Sequence, residues 1–226
     1  MAYENRPRRP RLMNLEDVPA VDGPAYSIVR NLEIPDQPEQ ERLLQGVGSI
    51  AAKYAHTASA TVHLWPAGKL YLPLLSVEAA VILGKAAHRQ HKPILPTLER
   101  IVSAAKRQTT PTLNATLKDG PKFRNHPRQP HAIALPLESP KVTSDMRLLA
   151  GLVKKELYAS VPYSNNTIRH LTLGTSNRRY DHSDQIKLNE LDLPEWQPGT
   201  TLTFGELRIV DMSQIRQEPP LLPQSN

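Results

Sequence analysis

The residues best suited to chemistry lie in one short segment, which reads IRHLTLGT at positions 168–175. Its apolar and β-branched residues, followed by a glycine, predict a strand. Because side chains alternate across a strand, His170 and Thr172 should share one face, with Leu171 and Leu173 on the other. An imidazole and a hydroxyl would then stand side by side on a packed support. One such pair is not a catalytic site, so a second group must come from elsewhere in the chain.

Composition limits the classes of protein that the chain can belong to. Its 226 residues are 39% hydrophobic, enough for one domain with a core. The absence of cysteine excludes disulfides, thiolate nucleophiles and cysteine metal sites. No run of about 18 apolar residues occurs and the start lacks a secretory signal, so we expect no membrane partner and an intracellular, cytoplasmic or nuclear protein. The net charge of +6 favours a phosphate-bearing partner.

Both ends of the chain are predicted to be disordered tails. Residues 1–24 form a basic, proline-punctuated tail, which could be a nucleic-acid or localisation arm or simply a solvated terminus. Residues 213–226 form a polar, proline-containing tail. Residues 25–212 are left as a single domain.

Hydrophobic periodicity predicts the elements of that domain. Strands are expected at 26–34, 61–65, 69–77, 109–118, 131–137, 168–175 and 201–212, and helices at 39–54, 77–89, from 96 onward, from 143 or 144 to 158, and at 186–193. Segment 131–137 is expected to be the hairpin partner of 109–118, and Pro73 marks an edge or bulged strand. This order predicts an α+β fold with an antiparallel or mixed sheet covered by helices.

The order of elements, with His-Leu-Thr-Leu in the second half, resembles the 2H phosphoesterase superfamily. This superfamily includes the LigT-like RNA 2′,3′-cyclic phosphodiesterases, once called 2′-5′ RNA ligases. The resemblance spans roughly residues 25–212 and includes PTLNATLKDGPKF at 111–123 and a closing strand at 204–210. It implies a two-lobed, pseudo-symmetric α+β fold in which each lobe contributes one His-x-Thr/Ser strand to a central cleft.

The resemblance also implies a mechanism and a partner. Two imidazoles flank one phosphate: one takes a proton from water or a 2′-hydroxyl, and the other gives a proton to the departing oxygen. The hydroxyls of the motifs donate to phosphate oxygens. His170 and Thr172 match the second motif and are the implied catalytic residues. We therefore expect a monomer that acts on RNA or a nucleotide with a 2′,3′-cyclic or 2′-5′ phosphate, without metal or other cofactor.

The first motif departs from the family pattern, and two registers are open. In one, Tyr71 takes the histidine position and Pro73 the hydroxyl position; tyrosine is a poor base at neutral pH, and proline has no donor. In the other, His63 takes the histidine position and Trp65 the hydroxyl position. We prefer Tyr71 as the structural equivalent. Either register leaves a degenerate first half, so the alternative function is a pseudoenzyme that binds RNA or nucleotide without turnover.

Four residues are candidates for substrate binding. They are Tyr71, His63, Arg169 and Arg178, the two arginines because they flank the second motif and could hold a phosphate backbone. His88 and His91 have a spacing that could suggest a metal, but no third ligand lies nearby in the sequence, so we expect no metal site.

Overall fold

The structure is a computed structural model. It describes residues 26–34, 38, 42, 45–46, 62–65, 70–75, 77–124, 131–161, 169–176, 179–190 and 196–211. The two predicted tails and nearly all of the predicted helix 39–54 lie outside the described residues.

Groups of strands are separated by helices along the described part of the chain. The strands are β1 (Tyr26–Leu32), β2 (Val62–Leu64), β3 (Tyr71–Pro73), β4 (Leu113–Leu117), β5 (Lys122–Arg124), β6 (His131–Glu138), β7 (Arg169–Ser176) and β8 (Thr201–Asp211). The helices are α1 (Val77–Arg89), α2 (Ile94–Lys106), α3 (Pro140–Leu157) and α4 (His182–Asn189).

The strands form one antiparallel sheet with an internal repeat in its order. That order is β2-β7-β6-β4-β8-β1-β3, with β5 beside β6. The central pair is β4 and β8; on one side follow β6 and β7, and on the other β1 and β3. Each half therefore has a motif-bearing strand two places from the central pair, β7 in one half and β3 in the other, and β2 lies beyond β7. This arrangement confirms the predicted α+β fold, and Pro73 lies on an edge strand as expected because it cannot donate to a ladder.

One face of the sheet packs against the helices. Strand β4 alternates strictly between buried and exposed residues, as a sheet with one covered face requires. The buried side chains of Leu113, Leu135 and Leu171 belong to one core cluster with Leu83 of α1 and Leu149 of α3. The opposite face of the sheet is thus the one available for polar side chains from β7.

Several predicted boundaries were wrong: β1, β3 and β4 are shorter than the predicted strands 26–34, 69–77 and 109–118, and α2 begins at Ile94 and not at 96. Two other helix starts differ because of a local capping feature. Helix α3 begins at Pro140, not at position 143 or 144, since proline suits the first helical turn, where its missing N–H is not needed. Helix α4 begins at His182, not at position 186. There Asp181 and Asp184 form a reciprocal capping box, which fixes the start of the helix before its apolar residues.

The predicted hairpin between 109–118 and 131–137 also needs correction. Strand β5 lies between these segments in the chain and pairs with β6 from Lys122↔Ala134 to Arg124↔Ala132. Strand β4 meets β6 only through Thr116↔Glu138 and Leu117↔Leu137. The hairpin partner of β6 is therefore β5, a strand too short to give a periodic signal.

Candidate functional site

The site is built on β7, whose alternation separates polar from apolar side chains. His170 pairs with Pro136 and Thr172 with Ala134, so both lie on the face away from the helices. Leu171 pairs with Leu135 within the core. The imidazole of His170 is partly buried and the Thr172 side chain nearly fully buried. The strand thus carries the two motif side chains next to each other on one face.

We call the side chains of His170 and Thr172 on this face the polar row. A β-bulge in β7 extends the polar row by one residue. Thr172 pairs with Ala134, but Gly174 pairs with Ile133, so Leu173 is an extra residue on the β7 side. Because the bulge resets the alternation, Thr175, which pairs with Ala132, lies on the same face as Thr172. An unbroken strand would have turned Thr175 to the helical face.

Strand β2 lies next to β7 on this row. The backbone of His63 pairs with Thr175, and the Trp65 N–H donates to the Leu173 carbonyl over 3.0 Å. Position 63 is therefore one strand away from the polar row, and Trp65 stands beside the bulge. The alternative first-motif register thus lies next to β7, at the level of Thr175 and not of His170.

Tyr71 comes from β3, the strand at the far edge of the other half. Its ring centroid lies 5.2 Å from that of Trp65, with the planes inclined by 34°. Since the Trp65 backbone is hydrogen-bonded to β7, this contact links β3, at one edge of the sheet, to the strand that carries His170. Tyr71 is only 2% exposed, and this burial raises the pKa of its phenol well above the usual range. At neutral pH the hydroxyl is protonated and can donate a hydrogen bond but cannot act as a base.

The flanking arginines do not extend the row. Arg169 is 6% exposed and pairs with Leu137, so it lies on the opposite face from its neighbour His170. The period of two along a strand gives this separation directly. Arg178 lies outside the described residues, whereas Arg179 is exposed next to the start of α4.

The sequence did not predict that the Trp65 ring would pack against Tyr71 at the site. The position of Trp65 before a proline marked it as part of a motif, but its contact with Tyr71 depends on how β2 and β3 approach β7. The signal that could have indicated this contact was an aromatic residue, Trp65, at the end of a short predicted strand.

The described residues contain neither a candidate metal site nor a candidate membrane span. None of their histidines and carboxylates come together in a group of three or more that could hold a metal ion. No helix in the same part of the chain is long and apolar enough to cross a membrane.

Comparisons with known proteins give matches among solved structures alone. No family model and no curated protein matches the chain. A structure of Kluyveromyces marxianus Usb1 is 15% identical over 82% of this chain and 93% of its own, with a TM-score of 0.48. Escherichia coli LigT complexed with 3′-AMP is 14% identical over 83% and 87%, with a TM-score of 0.45.

A further solved structure, described as Kluyveromyces marxianus Usb1 with uridine monophosphate, is 14% identical over 83% of this chain and 94% of its own, with a TM-score of 0.48. Usb1 and LigT are members of the 2H phosphoesterase superfamily.

Proposed function

We propose that the chain is a 2H-type phosphodiesterase-like protein that acts on RNA or a nucleotide with a 2′,3′-cyclic or 2′-5′ phosphate. The observation that carries the proposal is that His170 and Thr172 share the face of β7 that points away from the helices, while Tyr71 of β3 in the other half packs against Trp65, which is hydrogen-bonded to β7. The contact between β3, which carries Tyr71, and β7, which carries His170, supports a site between the halves.

The proposed reaction is hydrolysis of a cyclic phosphate by acid–base chemistry. His170 takes a proton from water as the water oxygen forms a bond to phosphorus. The bond from phosphorus to one ribose oxygen breaks, and that oxygen takes up a proton. Thr172 donates a hydrogen bond to a phosphate oxygen, where negative charge increases during the attack.

The proton for the departing oxygen has two candidate sources. His63 would supply a second imidazole, as the family mechanism requires. Tyr71 is the other, and its raised pKa makes it a reluctant proton donor that stabilises the departing oxygen mainly by hydrogen bonding. If Tyr71 is the source, turnover will be slow compared with a site that has two imidazoles.

A second function, binding of RNA or nucleotide without turnover, is favoured by one specific observation. Tyr71 is buried against Trp65 with a raised pKa, and Pro73 offers no donor, so the first-half strand lacks both a base and an anchor. In this case His170 and Thr172 bind a phosphate, and Tyr71 and Trp65 form the opposite side of the binding site.

Turnover of a 2′,3′-cyclic nucleotide and of a short RNA with a 2′,3′-cyclic end tests the first function. We expect His170→Ala to lower turnover by about 10²–10⁴-fold, the usual contribution of a general acid or base. His63→Ala distinguishes the two proton sources, since it will reduce turnover only if His63 takes part. His88→Ala, an exposed histidine on α1, is the matched control and should leave turnover unchanged.

Equal turnover in wild type and His170→Ala would overturn the catalytic proposal. If neither protein turns over substrate, titration of labelled RNA at two salt concentrations tests the second function. Salt-dependent binding that His170→Ala weakens supports binding without turnover. Absence of binding, or binding without salt dependence, overturns the second function as well.

A further inference from the structure

A groove on the helical side of the molecule is lined by apolar and cationic residues that take no part in the proposed site. It lies between α1 and the chain that leaves α3, and has a volume of about 340 Å³. Its lining consists of Ile82, Lys85, Ala86, Arg89, Gln90 and residues 157–160. The helices pack on the leucine face of the sheet, whereas His170 lies on the other face. This helix groove is therefore separate from the site on β7.

The floor of the helix groove is aliphatic and its rim is cationic. Ile82, Ala86 and Leu157 contribute apolar surface, and Lys85 and Arg89 stand one helical turn apart on α1. None of the described residues that line the groove carries a carboxylate. Within the described part of the chain, neither Lys85 nor Arg89 makes an ion pair or a side-chain hydrogen bond. The rim thus presents two positive charges that no described side chain neutralises.

Two of the carbonyl groups at the end of α3, which would repel an anion, already accept hydrogen bonds. Gln90 donates to the Leu157 carbonyl and Lys92 donates to the Glu156 carbonyl. The Glu156 carboxylate is held by Arg100 at 3.7 Å. Because these partners satisfy the negative end of the helix, the positive charge of Lys85 and Arg89 remains available to a ligand.

Tyr158 marks one end of the helix groove. It follows α3 in the left-handed conformation, with φ of 47°, and its side chain is 85% exposed. The Lys92 ammonium lies 5.9 Å from the ring centroid and covers one face of the ring. The left-handed conformation disfavours a residue with a side chain, and the exposed ring gains almost no burial in return. A binding partner that packs on the ring would recover that burial.

We propose that the helix groove binds an acidic peptide segment of a partner protein. An apolar side chain of the peptide rests on the aliphatic floor, its flanking carboxylates meet Lys85 and Arg89, and Tyr158 packs against its edge. Charge complementarity selects an anionic ligand, and the aliphatic floor selects a peptide over RNA, because RNA has no aliphatic side chain to bury on Ile82, Ala86 and Leu157. The proposal is independent of the chemistry at His170.

Fluorescence anisotropy with a labelled dodecapeptide of alternating Glu and Leu pairs tests the proposal on the full chain. We expect micromolar binding that weakens several-fold between about 50 mM and about 300 mM salt, because exposed charges are screened. The double charge reversal Lys85→Glu with Arg89→Glu should weaken binding by about tenfold or more. Tyr158→Ala should weaken it by a smaller factor.

The matched control reverses two exposed lysines outside the groove, Lys118→Glu with Lys187→Glu, for the same change in net charge. It should bind the peptide like the wild type after correction for the general loss of positive charge. Thermal denaturation of both variants checks that they are folded.

Four results would overturn the proposal: no binding, equal loss in the control variant, equal binding of the corresponding Lys/Leu peptide, or unchanged binding after the groove reversal. Displacement of the peptide by oligouridylate, with RNA binding lost in the groove variant, would assign the groove to nucleic acid instead. Dimerisation that the reversal abolishes would assign it to a second copy of the chain.

Discussion

The guanidinium of Arg30 and the carboxylate of Asp145 form a buried ion pair between the two halves of the molecule. Arg30 lies on β1, and Asp145 lies on α3, which connects β6 to β7. Their side chains are joined by contacts of 3.0 and 3.1 Å to one carboxylate oxygen. The remaining donors of the guanidinium reach the carbonyls of Thr110, Pro111 and Gly205. This network ties the helix before β7 to the opposite half.

Removing one partner of this pair should strongly destabilise the fold. We expect Asp145→Ala to lower the free energy of unfolding by about 3–5 kcal/mol, because it leaves a buried cation without its counter-charge. Urea denaturation followed by circular dichroism measures the loss. The exposed pair of Lys106 with Glu206 is the control, and Lys106→Ala should have no measurable effect. A loss in Asp145→Ala no larger than in the control would contradict a structural role for the pair.

Tyr71 should make stability depend on alkaline pH. Its folded-state pKa is raised by burial, so the native state keeps the proton under conditions where the unfolded chain releases it. The associated stability is fully present below the ordinary tyrosine pKa of about 10 and is lost as pH rises above it. Denaturation midpoints between about pH 8 and about pH 11 should therefore fall less steeply in Tyr71→Phe than in the wild type.

The control for Tyr71 is Tyr158→Phe, which removes the hydroxyl of an exposed ring. This variant should keep the pH dependence of the wild type. An unchanged slope in Tyr71→Phe would mean that the buried phenol is not the group responsible.

Thr172 should contribute through its hydroxyl and not through its shape. Thr172→Val keeps the branched side chain but removes the donor, and we expect about a tenfold loss in kcat/KM or in phosphate affinity, the value of one hydrogen bond to a charged group. Thr172→Ser restores the donor and should recover most of the loss. If Val and Ser variants behave alike, the hydroxyl does not contact the phosphate. Steady-state kinetics, or phosphate titration if there is no turnover, distinguishes these results.

Tyr158 should lower the free energy of unfolding and at the same time contribute to binding of the acidic peptide. Tyr158→Gly removes the side chain that disfavours the left-handed conformation, so we expect the free energy of unfolding to rise by about 0.5–1 kcal/mol. The same variant should lose affinity for the acidic peptide. A loss of stability would show that the contact between Lys92 and the ring outweighs the backbone strain. Thermal unfolding and anisotropy on one preparation measure both effects.

Local patterns predicted several elements well. Helix α1 was predicted at 77–89 and lies there. The prediction succeeded because its apolar residues recur with helical spacing, and the hydrogen bonds of a helix join residues of the same segment. Strand β8 was placed within a residue of its observed end. Proline at position 73 marked an edge strand, since its effect on a ladder is a property of the residue itself.

Features that depend on pairing between distant segments were not predictable in the same way. Strand β5 gave no periodic signal because its three residues are ordered by β6 and not by their own propensity. The placement of Arg169 followed from alternation alone, yet its proximity to the motif in sequence suggested a ligand contact instead. The bulge at Leu173 arises from the register between β6 and β7, which no short window contains.

The sequence by itself determined that His170 and Thr172 stand together on one side of a strand with leucines behind them, because the pleat has a period of two residues. Only the tertiary structure decided what surrounds that pair: Tyr71 pressed against Trp65, Thr175 turned to the same face, and Arg169 turned away. The pairing that brings Trp65 to β7 joins His63 and Thr175, which are about a hundred positions apart in the chain. These relationships are set by packing and strand register across the whole sheet, to which local periodicity gives no access.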